Sequence, residues 1–522
     1  MVFFEQIISA FNALTPAAIF PVVVGIFLFI FFVYYIKVLR PQSGTSEWID
    51  FKVNKPYLTF LNRRYSLDRH DILPILLISG IFMFFAVFHL GNTDTVNVMN
   101  EIQNPSPERN HMNNMFFDEI YFVRTAVEHI ENIPPYELSH PPLGKLIISA
   151  SILLFGSSPF GWRLIGAVIG ALMVTVMYIF VKNMFGKTII ASCAALLFGF
   201  DFMRFVQTRI GTIDTYVVFF ILLSFFFMYR FITTDVNAPF RKGFVSLALS
   251  GLFFGLSFSV KWVGFYAGAG LLIIYVIRLV QLGLFYGSTF KRGYGVYLTK
   301  TILFSFLFFV LIPVVIYYVS YIPYGTVRGM PVNIRMFLNP EYFRLVWNNQ
   351  ILMFTYHSRL VAEHPFTSSW WQWILNIRPI LYVNNASGEG RAIFGAFGNP
   401  VIWWGGFIAM IMMAVRVFTH RDSKSLFILI GYLSQLLPWV AVTRILFIYH
   451  YFPSTLFLIL ALAHIFNTLI ERRGQSSGKT AVYAYTAASG SMFALFYPAM
   501  SGMYLPRWFY LNFIKWFGSW PF

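Results

Sequence analysis

The sequence predicts an all-α polytopic membrane protein, and three observations carry that reading. Of its 522 residues, 58% are hydrophobic and only 11% are charged, where soluble globular chains average about 25% charged. Apolar runs of roughly 18–22 residues, each long enough to cross a bilayer, recur along the whole length. The short alternating segments of a transmembrane β-barrel do not occur.

Twelve spans are expected, roughly over 17–36, 73–91, 162–181, 189–206, 213–232, 244–260, 264–282, 301–322, 401–418, 425–442, 451–470 and 480–500. The loops 37–72, 182–187, 230–243, 278–300, 416–424 and 471–479 fall on one side. They hold 22 of the 38 Lys and Arg but only 7 of the 21 Asp and Glu. Almost all of the net charge of +17 therefore sits on one face, and the positive-inside rule makes that face cytoplasmic. Anionic lipid headgroups account for this charge without any nucleic acid.

Both termini then lie outside. The first 36 residues contain no Lys or Arg, so no basic n-region marks a cleavable signal peptide. Phe3, Phe4, Ile7, Ile8, Phe11 and Leu14 recur at helical spacing and read as an interfacial helix leading into the first span. The single cysteine, Cys193, lies in an apolar run and reads as a small core residue.

Two outer segments are long, 92–161 and 323–400. The first contains FFDEIYFVRTAVEHIENIPPYELSHPPLGK, Phe116 to Lys145, a polar stretch in greasy surroundings. Asp118 and Glu119 are flanked by Phe116, Phe117, Ile120, Tyr121, Phe122 and Val123, which places the pair on a short apolar helix near the membrane surface. A carboxylate held there is partly desolvated, which raises its pKa and suits a general base. Beyond His140, the sequence from Pro141 to Gly156 is too short to span. It reads as a helix along the outer leaflet, with the proline pair at its start. Arg163 opens the third span from the outside.

Asp201, Arg204, Arg209 and Asp214 stand at the outer ends of apolar spans, where charges are usually paired or functional. An Arg209–Asp214 ion pair is the plain structural expectation. The second outer segment gathers His357, Arg359, Glu363, His364 and Arg378 around Trp370, Trp371 and Trp373, which suit either interfacial anchoring or stacking on a sugar ring. Arg444 and His450 follow, outside, between spans ten and eleven. An arginine there suits bidentate grip of a phosphate, or snorkelling to headgroups. No metal-binding signature, P-loop or dinucleotide fingerprint is present, so no site for a water-soluble nucleotide donor is visible.

The motifs FDEIYF, HPPLGK, FGWR, TRIGTIDTY, HPFTSSWWQW followed by RPI, NPVIWWGG and LPWV…RILFIYHYFP run in order from about residue 116 to 453. Together they resemble the protein O-mannosyltransferase family of the GT-C class of lipid-dependent glycosyltransferases. The eleven spans from residue 73 onward match the family topology. The span at 17–36 is extra, and the loop at 323–400 is too short to hold the luminal β-trefoil (MIR) domain of eukaryotic members, so the chain looks like a bacterial-type member. The resemblance implies four regions. Residues 1–72 hold the extra N-terminal elements and a basic cytoplasmic linker. Residues 73–322 form a GT-C catalytic transmembrane module with the first outer loop, and 323–400 form the second outer loop. Residues 401–522 form a C-terminal four-helix module and outer tail.

The implied reaction is inverting transfer of a sugar, mannose by the resemblance, from a polyprenyl phosphate to Ser or Thr hydroxyls of extracytoplasmic proteins. Asp118 then acts as base, with Glu119 assisting or orienting. Arg163 and Arg444 receive the leaving phosphate, whose developing charge needs cations in a low-dielectric site. His140, Arg209, Asp214, His364, Trp371, Arg378 and His450 support these groups or bind substrate. The lipid-linked sugar is a substrate, and no cofactor or metal ligand set is read from the sequence. The expected location is the plasma membrane, with the site on the extracytoplasmic face. A lipid or envelope-polymer acceptor fits the same chemistry. A transporter or flippase is the rival of another class, against which stand the outward clustering of charges and the lack of repeated halves.

Overall fold

The computed structural model describes residues 65–104, 111–234, 240–286, 291–388, 390–442 and 444–522. The span expected over 17–36 and the interfacial helix before it lie outside the described residues. Among the described residues, nine helices are long and apolar enough to cross a membrane. They are Arg69–Val87, Pro159–Phe185, Asp214–Ile232, Gly243–Val260, Gly264–Gly283, Tyr294–Ser320, Pro400–His420, Ser423–Ala441 and Ile448–Arg472. Each coincides with an expected span.

Local chemistry sets where these helices begin. Ser158 caps Pro159–Phe185 by accepting from Gly161 N at 3.0 Å, with Pro159 in the first turn where its missing N–H costs nothing. Asn399 and Pro400 repeat the device at the start of Pro400–His420. Pro159–Phe185, Asp214–Ile232 and Ile448–Arg472 form the buried centre, whereas Tyr294–Ser320 is peripheral, only 11% of its apolar stretch being buried. Tyr294–Ser320 widens to a π-turn over Leu307–Leu311, immediately before Pro313. The proline ring cannot fit the regular bonding of the preceding turn, and the extra residue relieves it.

Two expected spans take other forms. Gln475–Ser501 has the length of a span but is rich in Ala, Gly, Ser and Thr. The run 189–206 is not one helix: Thr188–Gly199 stops, and Phe202–Gln207 begins after Asp201. Two charged side chains satisfy the broken backbone. Asp201 caps the second piece, accepting from Arg204 N at 2.9 Å. The buried Arg204 guanidinium donates back to the carbonyls of Phe198, Gly199 and Gly170 at 2.7–3.2 Å. The other Asp201 oxygen accepts from Trp403 Nε1 at 2.7 Å, tying this break to the C-terminal helices.

One small element departs from an all-helical chain. Strand β1 (Ile380–Ser387) pairs antiparallel with β2 (Gly390–Ala396), and β2 pairs with β3 (Tyr504–Pro506). The β-prone run Ile380, Leu381, Tyr382, Val383 supports the first strand. The tail that follows packs onto the same outer segment. Trp520 Nε1 donates to Asn376 O at 2.9 Å, and the Phe522 ring lies 4.9 Å from that of Phe397. Residues 323–400 and the tail are therefore joined through shared strands.

Candidate active site

Asp118 lies at the N-terminus of helix Glu119–Glu131. Phe117 before it has φ +51°, a left-handed conformation unusual for a bulky residue, and its ring stacks on Tyr382 of β1 at 4.3 Å, with Tyr449 6.0 Å away. Backbone strain of this kind persists only where the surroundings hold it. The Asp118 side chain does not cap the helix. Among the described residues it has neither a hydrogen bond nor an ion pair. Burial pushes its carboxyl up to about 7, helped by the charge of Asp214 and opposed by Lys261. The carboxylate is thus free to accept a proton near neutral pH.

Glu119, expected to assist or orient the base, and Arg163, expected to hold the phosphate, hold each other. Both are fully buried. Arg163 Nε and Nη2 each donate to a Glu119 oxygen at 2.7 Å. The remaining N–H groups go to the carbonyls of Leu90, Met112 and Asn114 at 2.6–2.9 Å. Glu119 also accepts from Gly211 N at 2.7 Å. The five donors of the guanidinium are all engaged by protein, so Arg163 has none left for a phosphate.

The expected Arg209–Asp214 pair is also corrected. Asp214 receives Lys261 Nζ at 2.9 Å and the Thr212 hydroxyl at 3.2 Å. Arg209 is buried elsewhere, donating to the carbonyls of Phe88 and His89. Lys261 was not singled out from the sequence, although a lone charge between two apolar spans was a usable signal. Its ammonium lies 5.7 Å over the Tyr449 ring, and the Asp214 pairing leaves further donor capacity.

The HPPLGK stretch builds the rim. Buried Lys145 donates to Glu137 Oε2 at 2.6 Å and to the carbonyls of Glu137 and His140 at 2.8 and 2.9 Å. It fastens the loop ahead of helix Leu143–Phe155, the expected short helix. Burial alone would raise the Glu137 carboxyl, but Lys145 and His140 outweigh it and bring it down to about 2. His140 is held neutral, its pKa pushed down to about 3 by burial. Its ring lies 5.3 Å from that of His357, which donates from Nε2 to Ser139 O at 2.8 Å.

Arg444 is partly buried, with a single hydrogen bond among the described residues, Nη1 to Ile445 O at 3.2 Å. Burial lowers its pKa, and Tyr449, Tyr266 and Tyr356 oppose that shift. Tyr449 and Tyr356 also feel the charge of Asp118. His450 is buried between Trp439 and Trp373, its ring 4.4 and 5.9 Å from theirs. Trp373 is core, whereas Trp371 is 48% exposed. His364 lies edge-on to Phe447 at 4.9 Å. Arg378 is exposed and donates to Thr367 O at 3.1 Å. These last three residues lie on the second outer segment. Among the described residues no three His, Cys, Asp or Glu side chains stand together as a metal site requires.

This arrangement sets a desolvated carboxylate, unpartnered among the described residues, near the Asp214–Lys261 pair and the ring of Tyr449. Two family models match the chain: "Dolichyl-phosphate-mannose-protein mannosyltransferase" over residues 109–323 and "C-terminal four TMM region of protein-O-mannosyltransferase" over 342–520. The chain belongs to the protein O-mannosyltransferase family. Membership makes it a membrane-embedded glycosyltransferase. A polyprenol-phosphate-mannose–protein mannosyltransferase of Mycobacterium tuberculosis is 25% identical, with 77% of this chain and 86% of the relative covered. Its counterpart in Corynebacterium glutamicum is 27% identical, covering 75% and 83%. A chain of the S. cerevisiae protein O-mannosyltransferase Pmt1–Pmt2 complex bound to the sugar donor shares the fold. Its TM-score is 0.73 at 14% identity, over 90% of this chain and 95% of that one.

Proposed function

We propose that this protein O-mannosyltransferase transfers mannose from a polyprenyl phosphate to Ser or Thr hydroxyls of proteins on the extracytoplasmic side. The observation that carries the reading is the unpartnered Asp118 carboxylate, raised to about 7, near the Asp214–Lys261 pair. The acceptor hydroxyl gives its proton to Asp118 as its oxygen bonds to the anomeric carbon. The bond from that carbon to the phosphate oxygen breaks on the opposite face, so configuration inverts. The phosphate leaves with added negative charge, which Arg444 and the free donors of Lys261 neutralise in a low-dielectric setting. Arg163 and Glu119 take no part beyond fixing the Asp118 loop. The names of the bacterial relatives support the donor and the protein acceptor, and the cytoplasmic concentration of Lys and Arg supports an outer-face site.

Incubation of the purified protein in membranes with radiolabelled polyprenyl-phosphate-mannose and a Ser/Thr-rich acceptor tests the proposal. Label transferred to protein is the expected result. Label on lipid or on an envelope polymer alone reassigns the acceptor.

A further inference from the structure

The helix Pro340–Arg359 of the second outer segment turns three different faces to its surroundings. At about 100° per residue, Tyr342, Val346, Asn349 and Met353 share one face, and all four are buried. That face is bonded in two directions. Toward the span Tyr294–Ser320 and the turn after it, Tyr342 donates its hydroxyl to Tyr318 O at 2.8 Å, and the Tyr321 hydroxyl donates to Asn349 Oδ1 at 2.8 Å. Toward the HPPLGK rim, Asn349 Nδ2 donates to Leu138 O at 3.1 Å, and the His357 Nε2 bond to Ser139 O lies one turn further on.

The outward side is divided lengthwise. Phe343, Trp347, Ile351 and Phe354, at i, i+4, i+8 and i+11, form an apolar strip, each more than half exposed. The Phe343 and Trp347 rings stack 6.4 Å apart, 10° from parallel. Beside this strip, Glu341, Arg344, Asn348 and Arg359 form a separate exposed polar strip. Water on all sides would not call for such a division, whereas a helix lying in the plane of a membrane interface needs it.

Two further observations say which surface covers the apolar strip. The span Tyr294–Ser320 exposes Leu311, Val314, Val315 and Val319, the flank of a spanning helix that faces lipid. Tyr318, beside that flank, donates its hydroxyl to Phe337 O at 3.1 Å, so the flank meets the start of the outer helix, where Leu338 and Phe343 are exposed. Residues 328–359 also carry four arginines against a single acidic residue, Glu341, a balance that suits anionic headgroups.

We propose that Pro340–Arg359 lies in the membrane interface on the extracytoplasmic side, with Phe343, Trp347, Ile351 and Phe354 among the acyl chains and Arg344 among the headgroups. Because the packed face is bonded to Leu138 and Ser139, this seat sets the height of the HPPLGK rim over the bilayer.

Single cysteines introduced in turn over 341–358 of the full-length Cys193→Ala protein are spin-labelled and placed in nanodiscs of phosphatidylglycerol and phosphatidylethanolamine. Collisions are measured with oxygen, which partitions into lipid, and with a water-soluble nickel chelate. Labels at 343, 347, 351 and 354 are expected to meet oxygen and exclude nickel, and labels at 344 and 348 to do the reverse. Nickel contact at all six positions overturns the seat. Exclusion of both reagents at 343, 347 and 351 overturns it in favour of a protein cover, such as a second copy. Phe343→Asp combined with Trp347→Asp tests the rim's height, and this arm alone rests on the transfer activity proposed above. Transfer in nanodiscs is expected to fall, on the scale of about 10²-fold that misplacing a site brings, with the melting temperature in detergent unchanged. Full transfer by this variant overturns the positioning role. Absence of transfer by the wild-type protein counts against the proposed function and leaves the collision result standing.

Discussion

Glu119 and Arg163 form a two-point ion pair, 2.7 Å at each contact, with neither side chain exposed. The pair spans 44 residues of sequence and fixes the loop on which Asp118 sits. Breaking one partner of such a buried pair costs about 3–5 kcal/mol. Arg163→Ala and Glu119→Ala are therefore expected to lower the melting temperature in detergent sharply, and to lose activity through instability. A melting curve like that of wild type, together with weakened binding of a polyprenyl phosphate, would return Arg163 to the donor site.

Asp118→Asn is expected to lower transfer by about 10²–10⁴ while donor binding persists, because only the acceptor needs this carboxylate. A purified assay retaining more than about a tenth of wild-type turnover is incompatible with the base role, given the usual scale of such catalysis.

The raised Asp118 pKa has two consequences of opposite sign. The base is the ionised form, so kcat/KM is expected to fall as pH drops through about 7. The fold, by contrast, favours the protonated form. Between the ordinary aspartate value of 3.8 and about 7 the native state binds more protons than the unfolded state, so this residue's contribution to stability declines as pH rises through that window. Melting temperatures at pH 5 and pH 8 test this. Asp118→Asn is expected to stabilise the protein more at pH 8 than at pH 5.

Arg444→Ala is expected to weaken both donor affinity and turnover, because a phosphate contact is made in ground and transition states alike. Direct binding of a polyprenyl phosphate checks it. Unchanged affinity would assign the phosphate to Lys261 alone.

Removal of residues 1–40 is expected to leave the orientation of the remaining spans unchanged, because the basic 52–69 stretch already holds its side in the cytoplasm. Cysteine labelling of the 92–161 loop from outside is the check. A loop found inside would show that the first span sets the topology.

The order of the spans was legible in the sequence, because it follows from local composition. Which charge meets which was not. Arg163, Arg209 and Arg444 look alike as arginines near apolar span ends. Only the chain path sends the first to Glu119, the second to the Phe88 and His89 carbonyls, and leaves the third nearly free. Lys261 reaches Asp214 across 47 positions, which no periodicity reveals. The sheet was obscured for a related reason, since three-residue β3 makes sense only opposite β2.

The bond from Trp403 to Asp201 joins positions 202 residues apart, and this sets a timetable for biogenesis. At synthesis rates of about 5–20 residues per second, the ribosome needs roughly 10–40 s after making the aspartate before it reaches the indole. During that interval the nascent chain sits in the membrane with its central discontinuity held by the Asp201 cap and by Arg204 on nearby carbonyls. The catalytic half can be inserted early, but it locks only when the later helices are delivered.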